Sequence, residues 1–208
     1  MKETTAKKKF MWNMAGSLCN SLSSMLLLII VNRISGESRG GFFALAYSTA
    51  QLLFSVGGFE IRPVQSTDIK NKFTFNQYFT SRMLNCIIML ICMIGYIVVN
   101  GYTGVEALTV FWILGYRMVE AVADVYSGLF QQRERIDISG KEMLMRSGIS
   151  TITFTIILWL TDNLLYAAMT LTLTSLVIML FYDLHMKKYF EPTPVHLEWR
   201  GMRNIDNC

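Results

Sequence analysis

The sequence is poor in the residues that soluble enzymes most often use for chemistry. Only 16% of its 208 residues are charged, against about 25% in a typical soluble domain. It has two histidines and four cysteines with no Cys-x-x-Cys pair, which argues against a zinc site or a disulfide framework. It also lacks the phosphate-binding sequence GxxxxGK[S/T] and the zinc-binding sequence HExxH. These absences predict a protein without catalytic residues, metal ligands or a cofactor, and therefore not an enzyme.

Apolar residues, by contrast, form runs long enough to cross a membrane. They make up 52% of the chain, and the mean hydropathy is +0.37. A transmembrane helix needs about 20 such residues. The runs predict six spans, at about residues 12–31, 42–59, 83–99, 107–127, 147–160 and 164–184. The fifth is short, so residues 144–146 are expected to extend it into the cytosol. We therefore predict an all-α integral membrane protein, with a six-helix transmembrane lobe over residues 1–190 and a cytosolic tail over 191–208.

Lysine and arginine are distributed unevenly between the predicted loops. Of the 19 basic residues, Arg117 lies within a span, and Arg33 and Arg39 lie between the first two spans. The remaining sixteen lie at the two termini or in the connectors after the second and fourth spans. Because cytoplasmic loops are enriched in these residues, both termini are predicted to be cytoplasmic. Their scatter in small clusters argues against nucleic acid as a partner.

The fourth predicted span carries three charged residues along one face. Arg117, Glu120 and Asp124 are spaced three and four residues apart. A charge at the membrane centre costs about 2.5–3.5 kcal/mol, so this face should meet protein or water. Glu120 is the nearest counter-charge to Arg117, whereas Asp124 is expected near the inner headgroups. Either an internal ion pair attaches this helix to a neighbour, or the charges line a water-filled path for an anionic substrate or a coupling ion.

Polar residues in other spans leave similar alternatives. Asn13, Asn20 and Ser24 recur at helical spacing in the first span. Small and polar residues allow helices to pack closely, and they can also line a cavity. At the end of the sixth span, Asp183 is interpreted as part of a solvated helix end.

Three stretches of the sequence carry a resemblance to a known family. The first contains WNMAGS at 12–17, VNRISG at 31–36 and GGFFA at 40–44. The second is FEIRPVQSTD at 59–68. The third contains YRMVEAVAD at 116–124, QR at 132–133 and RIDISG at 135–140. In this order, they resemble polysaccharide flippases, the O-antigen and capsule type within the multidrug/oligosaccharidyl-lipid/polysaccharide exporter superfamily, and the similarity covers nearly the whole chain.

The resemblance implies two six-helix lobes around a central cavity in the bacterial cytoplasmic (inner) membrane. Members move an oligosaccharide unit linked to undecaprenyl diphosphate from the cytoplasmic to the outer leaflet by alternating access. A cationic residue such as Arg117 would suit the diphosphate. Implied partners are this substrate, membrane lipid, a glycan polymerase and glycosyltransferases. The matching connectors supply candidate residues on the cytosolic side: Arg62, Gln65, Asp68, Arg135 and Asp137.

The number of spans differs from that of the family, whose members usually have twelve or more helices. We therefore expect this chain to be the amino-terminal lobe, truncated before a seventh helix, and to need a second copy or a carboxyl-terminal lobe. Two alternatives remain: a cation-coupled exporter of drugs or small molecules from the same superfamily, and an inactive remnant.

Overall fold

The structure, a computed structural model, describes residues 5–57, 61–68, 72–191 and 194–197. These residues form helices joined by short connectors, with no strand among them. The helices are α1 (Ala6–Gly57), α2 (Ile61–Thr67), α3 (Phe75–Val99), α4 (Gly104–Gln132), α5 (Ile136–Thr161), α6 (Leu164–Ile178), a π-helical turn (Met179–Asp183) and α7 (Leu184–Phe190). The predicted all-α membrane fold is confirmed.

Four helical segments are long and apolar enough to cross a membrane: Ala6–Ser55, Phe75–Val99, Ile136–Thr161 and Leu164–Phe190. The last segment runs continuously through α6, the π-helical turn and α7. α4 is not among the four, because its central part carries the three charged residues noted above. As described below, these charges are bound within the protein.

α1 is a helical hairpin that reverses at Gly36. This residue has φ 84° and ψ 172°, a conformation essentially restricted to glycine. Residues on either side of the turn face each other: the Tyr47 hydroxyl donates to Ser24 Oγ at 2.9 Å. The arms at 6–35 and 37–57, called here the first and second arm, contain the first predicted span and residues 42–57 of the second; residues 58–59 lie outside the described residues.

The first arm and α5 meet backbone to backbone at two glycines. A Cβ on Gly16 would lie 2.9 Å from Gly140 Cα, and a Cβ on Gly140 would overlap the Trp12 carbonyl. Further along both helices, the Ser147 hydroxyl donates to Cys19 Sγ at 3.5 Å. Because the contact advances in the same direction on both segments, the first arm and α5 are parallel neighbours.

The connectors alternate between two ends of the bundle. At one end, called here the basic end, Lys9 Nζ donates to the Glu134 carbonyl at 2.9 Å. At the other, the hairpin end, Arg39 pairs with Asp162 at 3.0 Å. Tyr102 lies at the hairpin end too, in contact with the second arm. This alternation agrees with the loop pattern expected from the sequence.

Two apolar clusters lie at different depths, and buried charge separates them. The larger cluster includes Leu27, Phe43, Met89, Leu114, Phe154 and Leu171. The smaller, nearer the basic end, includes Ile61, Phe75, Tyr78, Tyr126, Phe130 and Ile138. On α3, α4 and α5 alike, charged residues occupy the stretch between the two clusters. This polar layer is the candidate functional site.

The structure also bears on the basic residues assigned to loops, on the start of the fifth span and on the tail. Arg82 and Arg146, assigned to loops, lie within α3 and α5 and are buried, so the loop asymmetry is smaller than predicted. Residues 144–146 are likewise part of α5, which begins at Ile136 and so extends well beyond the predicted fifth span. Of the predicted tail, residues 192–193 and 198–208 lie outside the described part of the chain.

Candidate functional site

Eight charged side chains gather in the layer between the two apolar clusters. They are Arg62 from α2, Arg82 from α3, Arg117, Glu120 and Asp124 from α4, Glu142 and Arg146 from α5, and Asp183 from the π-helical turn. Removing a charge from water costs several kcal/mol unless a partner and hydrogen bonds compensate. The pairing within this layer therefore decides whether each charge is tolerated.

Arg117 and Glu120 form an ion pair that holds α4 to both arms of the hairpin. The two side chains are hydrogen bonded, and Asn20 Nδ2 of the first arm donates to Glu120 Oε1 at 2.9 Å. On the second arm, the Tyr47 ring centroid is 4.4 Å from Arg117 Cζ, a cation–π distance. Tyr47 is bound in turn to Ser24. Arg117 is only 2% exposed, so it faces protein, as in the first of the two alternatives.

Asp124 belongs to a second group on the basic-end side of the layer. Its two carboxylate oxygens accept from Arg62 Nη1 at 2.8 Å and from Arg82 Nη2 at 3.0 Å. The Arg82 side chain is 1% exposed, whereas those of Arg62 and Asp124 are 23% and 18% exposed. Asp124 thus joins α2 and α3 to α4 through two arginines.

The third group was missed by sequence reasoning. Arg146 Nε donates to Glu142 Oε1 at 2.5 Å, and both residues and Asp183 are buried. The expectation of a solvated end at Asp183 is wrong, because the π-helical turn packs this residue against α4 and α5. The signal that could have found the group is spacing: Ser139, Glu142, Arg146 and Ser150 recur at three and four residues, and all are buried.

A cavity of about 200 Å³ opens among the three groups. It is lined by Asn20, Phe54, Arg62, Glu120, Asp124, Ser127, Met143 and Arg146. Liquid water occupies about 30 Å³ per molecule, so the cavity has room for a few waters or one phosphate-sized group. Of the predicted cavity residues, Asn20, Glu120 and Asp124 line it. Arg117 and Ser24 do not line the cavity; they are bound to Glu120 and Asn20, which do.

Several other predicted residues serve packing instead. Asn13 lies in the first arm where it meets α5. Gln65 and Asp137 were expected in cytosolic loops, but both are buried. The reason is that α2 and the first turn of α5 pack inward: a Cβ on Gly128 of α4 would lie 2.8 Å from Gln65 Cδ. Asp137 is paired with Arg135 at 2.8 Å.

Asp68, which follows α2, binds the end of the connector that leads to α3, and it does not line the cavity. Its carboxylate accepts from the backbone N–H groups of Lys72 at 2.9 Å and Phe73 at 3.1 Å, and from the Tyr78 hydroxyl at 3.2 Å. Burial raises the pKa of the carboxyl, but these hydrogen bonds outweigh it and hold the pKa below its usual value. Asp68 therefore has a local structural role.

A family model described as "Polysaccharide biosynthesis protein" matches residues 6–205. The chain belongs to this family. The match covers every helix described above and all three groups of the charged layer, and it confirms the resemblance carried by the three stretches. No curated protein and no solved structure matched the chain.

As a polysaccharide biosynthesis protein, the chain is a multi-pass membrane protein, and eight of its charged residues lie in the layer inside the bundle. In lipid, ionisable side chains almost always face the bundle interior or a water-filled cavity. The layer satisfies this rule on α3, α4, α5 and the π-helical turn. The cavity within the charged layer is therefore the candidate functional site of this family member.

Proposed function

We propose that this polysaccharide biosynthesis protein is a transporter, without enzymatic activity, for oligosaccharide repeat units linked to undecaprenyl diphosphate. It would move them across the bacterial cytoplasmic membrane by alternating access, with the basic end and both termini in the cytoplasm. The observation that carries the proposal is the family match along residues 6–205. A membrane bundle with a charged cavity, rather than a catalytic centre, supports it.

Within this proposal, Arg62 contacts the anionic group of the substrate. Its guanidinium is bound to Asp124 at 2.8 Å but remains 23% exposed at the cavity. A guanidinium binds phosphate oxygens with strong, charge-assisted hydrogen bonds. Arg117, favoured by sequence reasoning, does not line the cavity, so it is assigned to holding the hairpin and α4 together.

The size of the cavity limits what this lobe can hold. About 200 Å³ accommodates one phosphate-sized group, so the oligosaccharide must lie outside this cavity. Alternating access also needs two bodies that move against each other. The proposal therefore includes a facing lobe, from the same polypeptide or from a second copy. The substrate would be supplied by glycosyltransferases on the cytoplasmic side and consumed by a glycan polymerase on the other.

Arg62→Ala in the full-length protein tests this assignment in cells that depend on the protein for surface polysaccharide. A lost charge-assisted hydrogen bond is worth about 1.5–3 kcal/mol, so polysaccharide export should fall about tenfold or more. Arg33→Ala, at the hairpin end, is the matched control and should export normally. Normal export from Arg62→Ala, at equal protein level, would remove Arg62 from substrate binding.

Deleting the gene separates the proposed function from its alternatives. A flippase deletion should accumulate lipid-linked repeat units in the cytoplasmic leaflet. Unchanged polysaccharide with increased drug sensitivity would instead indicate a small-molecule exporter. No change in either measurement would indicate an inactive remnant.

The orientation is tested with a membrane-impermeant thiol reagent in a cysteine-free background. Asn100→Cys and Asp162→Cys at the hairpin end should be labelled from outside the cell. Glu134→Cys, at the basic end, should be labelled only after the cell is opened. Labelling of position 134 in intact cells would reverse the proposed orientation.

A further inference from the structure

Asp183 is a buried carboxyl without a partner. It is the last residue of the π-helical turn and is 0% exposed. Neither of its carboxylate oxygens has a hydrogen-bond partner among the described residues. An ionised carboxylate in such surroundings is so costly that the group usually becomes neutral instead. Within a membrane bundle, an ionisable residue of this kind marks a functional site by default.

The groups around Asp183 provide little compensation for a negative charge. Those that interact with it electrostatically are Glu142 and Arg146 from α5, Tyr126 from α4, and Tyr182 from its own turn. Lys187, one turn further on α7, has its ammonium 4.9 Å from the Phe75 ring centroid. Arg146 is thus the cation that acts on Asp183 from a neighbouring helix.

Arg146 is already committed to another carboxylate. Its Nε donates to Glu142 Oε1 at 2.5 Å, while its Nη1 and Glu142 Oε2 have no partner among the described residues. Glu142 is also within electrostatic range of Glu120 and Arg62, but each of those is bound in its own ion pair. One guanidinium therefore interacts with two buried carboxyl groups, and an unpaired buried carboxyl group favours its neutral form.

We propose that Asp183, with Glu142 and Arg146, forms a proton-binding site. In the state described, Asp183 holds the proton and Arg146 is bound to Glu142. When the O–H bond of Asp183 breaks, a water molecule takes up the proton as hydronium, and the negative charge stays on Asp183. The unused Nη1 of Arg146 then becomes its donor, so Arg146 is shared between α5 and the π-helical turn.

The π-helical turn is a second observation at the same place, since such turns occur mostly as single-turn bulges inside α-helices and are frequent at functional sites. Occupancy of the site by a proton would decide whether Arg146 binds within α5 or across to the turn. The site thus couples one proton to the packing between two helices. Arg146 also lines the cavity of the proposed function, but Asp183 does not, and proton binding at this site requires no substrate.

Infrared spectroscopy of the full protein in lipid nanodiscs tests the site. At neutral pH the wild type should show the C=O band of a protonated carboxyl, and Asp183→Asn should lose it. Asp162→Asn, an exposed residue at the hairpin end, is the matched control and should retain it. Absence of the band from the wild type, or its persistence in a folded Asp183→Asn variant, would overturn the proposal.

Two further measurements keep the test decisive. If Asp183→Asn does not fold, isotopic labelling of aspartate carboxyl carbons in the wild type replaces it. The band should then move to lower frequency, and an unmoved band would exclude Asp183. Glu142→Gln frees Arg146 to bind Asp183, so the band should disappear although Asp183 is intact; its persistence would refute the shared arginine. Because no substrate is present, the outcome is independent of transport.

Discussion

Gly140→Ala puts a methyl group where the backbones of the first arm and α5 meet. The added Cβ would overlap the Trp12 carbonyl and lie 2.5 Å from Asn13 N. Ordinary Cβ contacts begin at 3.4 Å, so the two segments would have to separate by about 1 Å. Because the neighbours are backbone atoms, no side-chain rotation can relieve the overlap.

The size of the effect follows from comparison with Gly95→Ala on α3, where a Cβ meets nothing within 4 Å. Alanine is favoured over glycine inside a helix by about 1 kcal/mol, and this gain is common to both variants. Their difference therefore isolates the packing cost. Overpacking costs about 1–3 kcal/mol, and we expect the upper end for Gly140 because the backbone must move.

Thermal unfolding in detergent micelles measures the difference in stability, and a cross-link reports the separation directly. Cys19 Sγ lies 3.5 Å from Ser147 Oγ, so Ser147→Cys should allow rapid disulfide formation with Cys19. The other cysteines are replaced by serine for this measurement. Adding Gly140→Ala should slow the reaction, whereas adding Gly95→Ala should not. Equal melting temperatures and equal cross-linking rates in the two variants would refute the backbone contact.

Three other substitutions have defined outcomes. Asp124→Asn leaves the buried Arg82 guanidinium without its carboxylate and should cost about 3 kcal/mol of unfolding free energy. Asp162→Asn, in an exposed pair, should cost about 0–1 kcal/mol. Equal losses would contradict the burial of the Asp124 ion pair. Gly36→Ala should cost about 1–3 kcal/mol through its positive φ, measured by thermal unfolding against the helical control Gly41→Ala, and a neutral result would exclude the hairpin geometry. The difference in unfolding free energy between wild type and Asp68→Asn should be constant at neutral pH and shrink as the pH falls below about 4. The reason is that the lowered pKa of Asp68 stabilises the fold only while the carboxyl is ionised. A difference that grows in acid would contradict that direction.

The all-α fold could be predicted from the sequence because a bilayer limits the secondary structure that a long apolar segment can adopt. Its thickness fixes the length of a span, and backbone hydrogen bonding in lipid leaves helices as the available form. Local pairing was equally accessible: Glu120 three residues after Arg117 predicted the ion pair that the structure contains. Both inferences need only short-range information.

The rest of the site depends on contacts between distant segments. Asp124 takes partners 62 and 42 residues away, and no spacing within α4 indicates them. Asp183 and Arg146 lie near the ends of apolar runs, where a charged residue can be solvated or buried with the same local sequence. Hydropathy averages over all faces of a helix, so it does not report which face turns inward. Burial was therefore the missing quantity.

The parallel contact between the first arm and α5 has a consequence for assembly in time. Lys9 and Glu134 meet across 125 residues of chain. The hairpin ends at Gly57 and α5 begins at Ile136, 79 residues later, so at a synthesis rate of about 5–20 residues per second the hairpin is complete roughly 4–16 s before α5 begins. Until α4 is made, Asn20 has no Glu120 to bind, and until α5 is made, Gly16 has no Gly140 to contact. The hairpin therefore enters the membrane before the helices that cover its polar face have been made. A membrane chaperone could bind that face until α4 and α5 are in place.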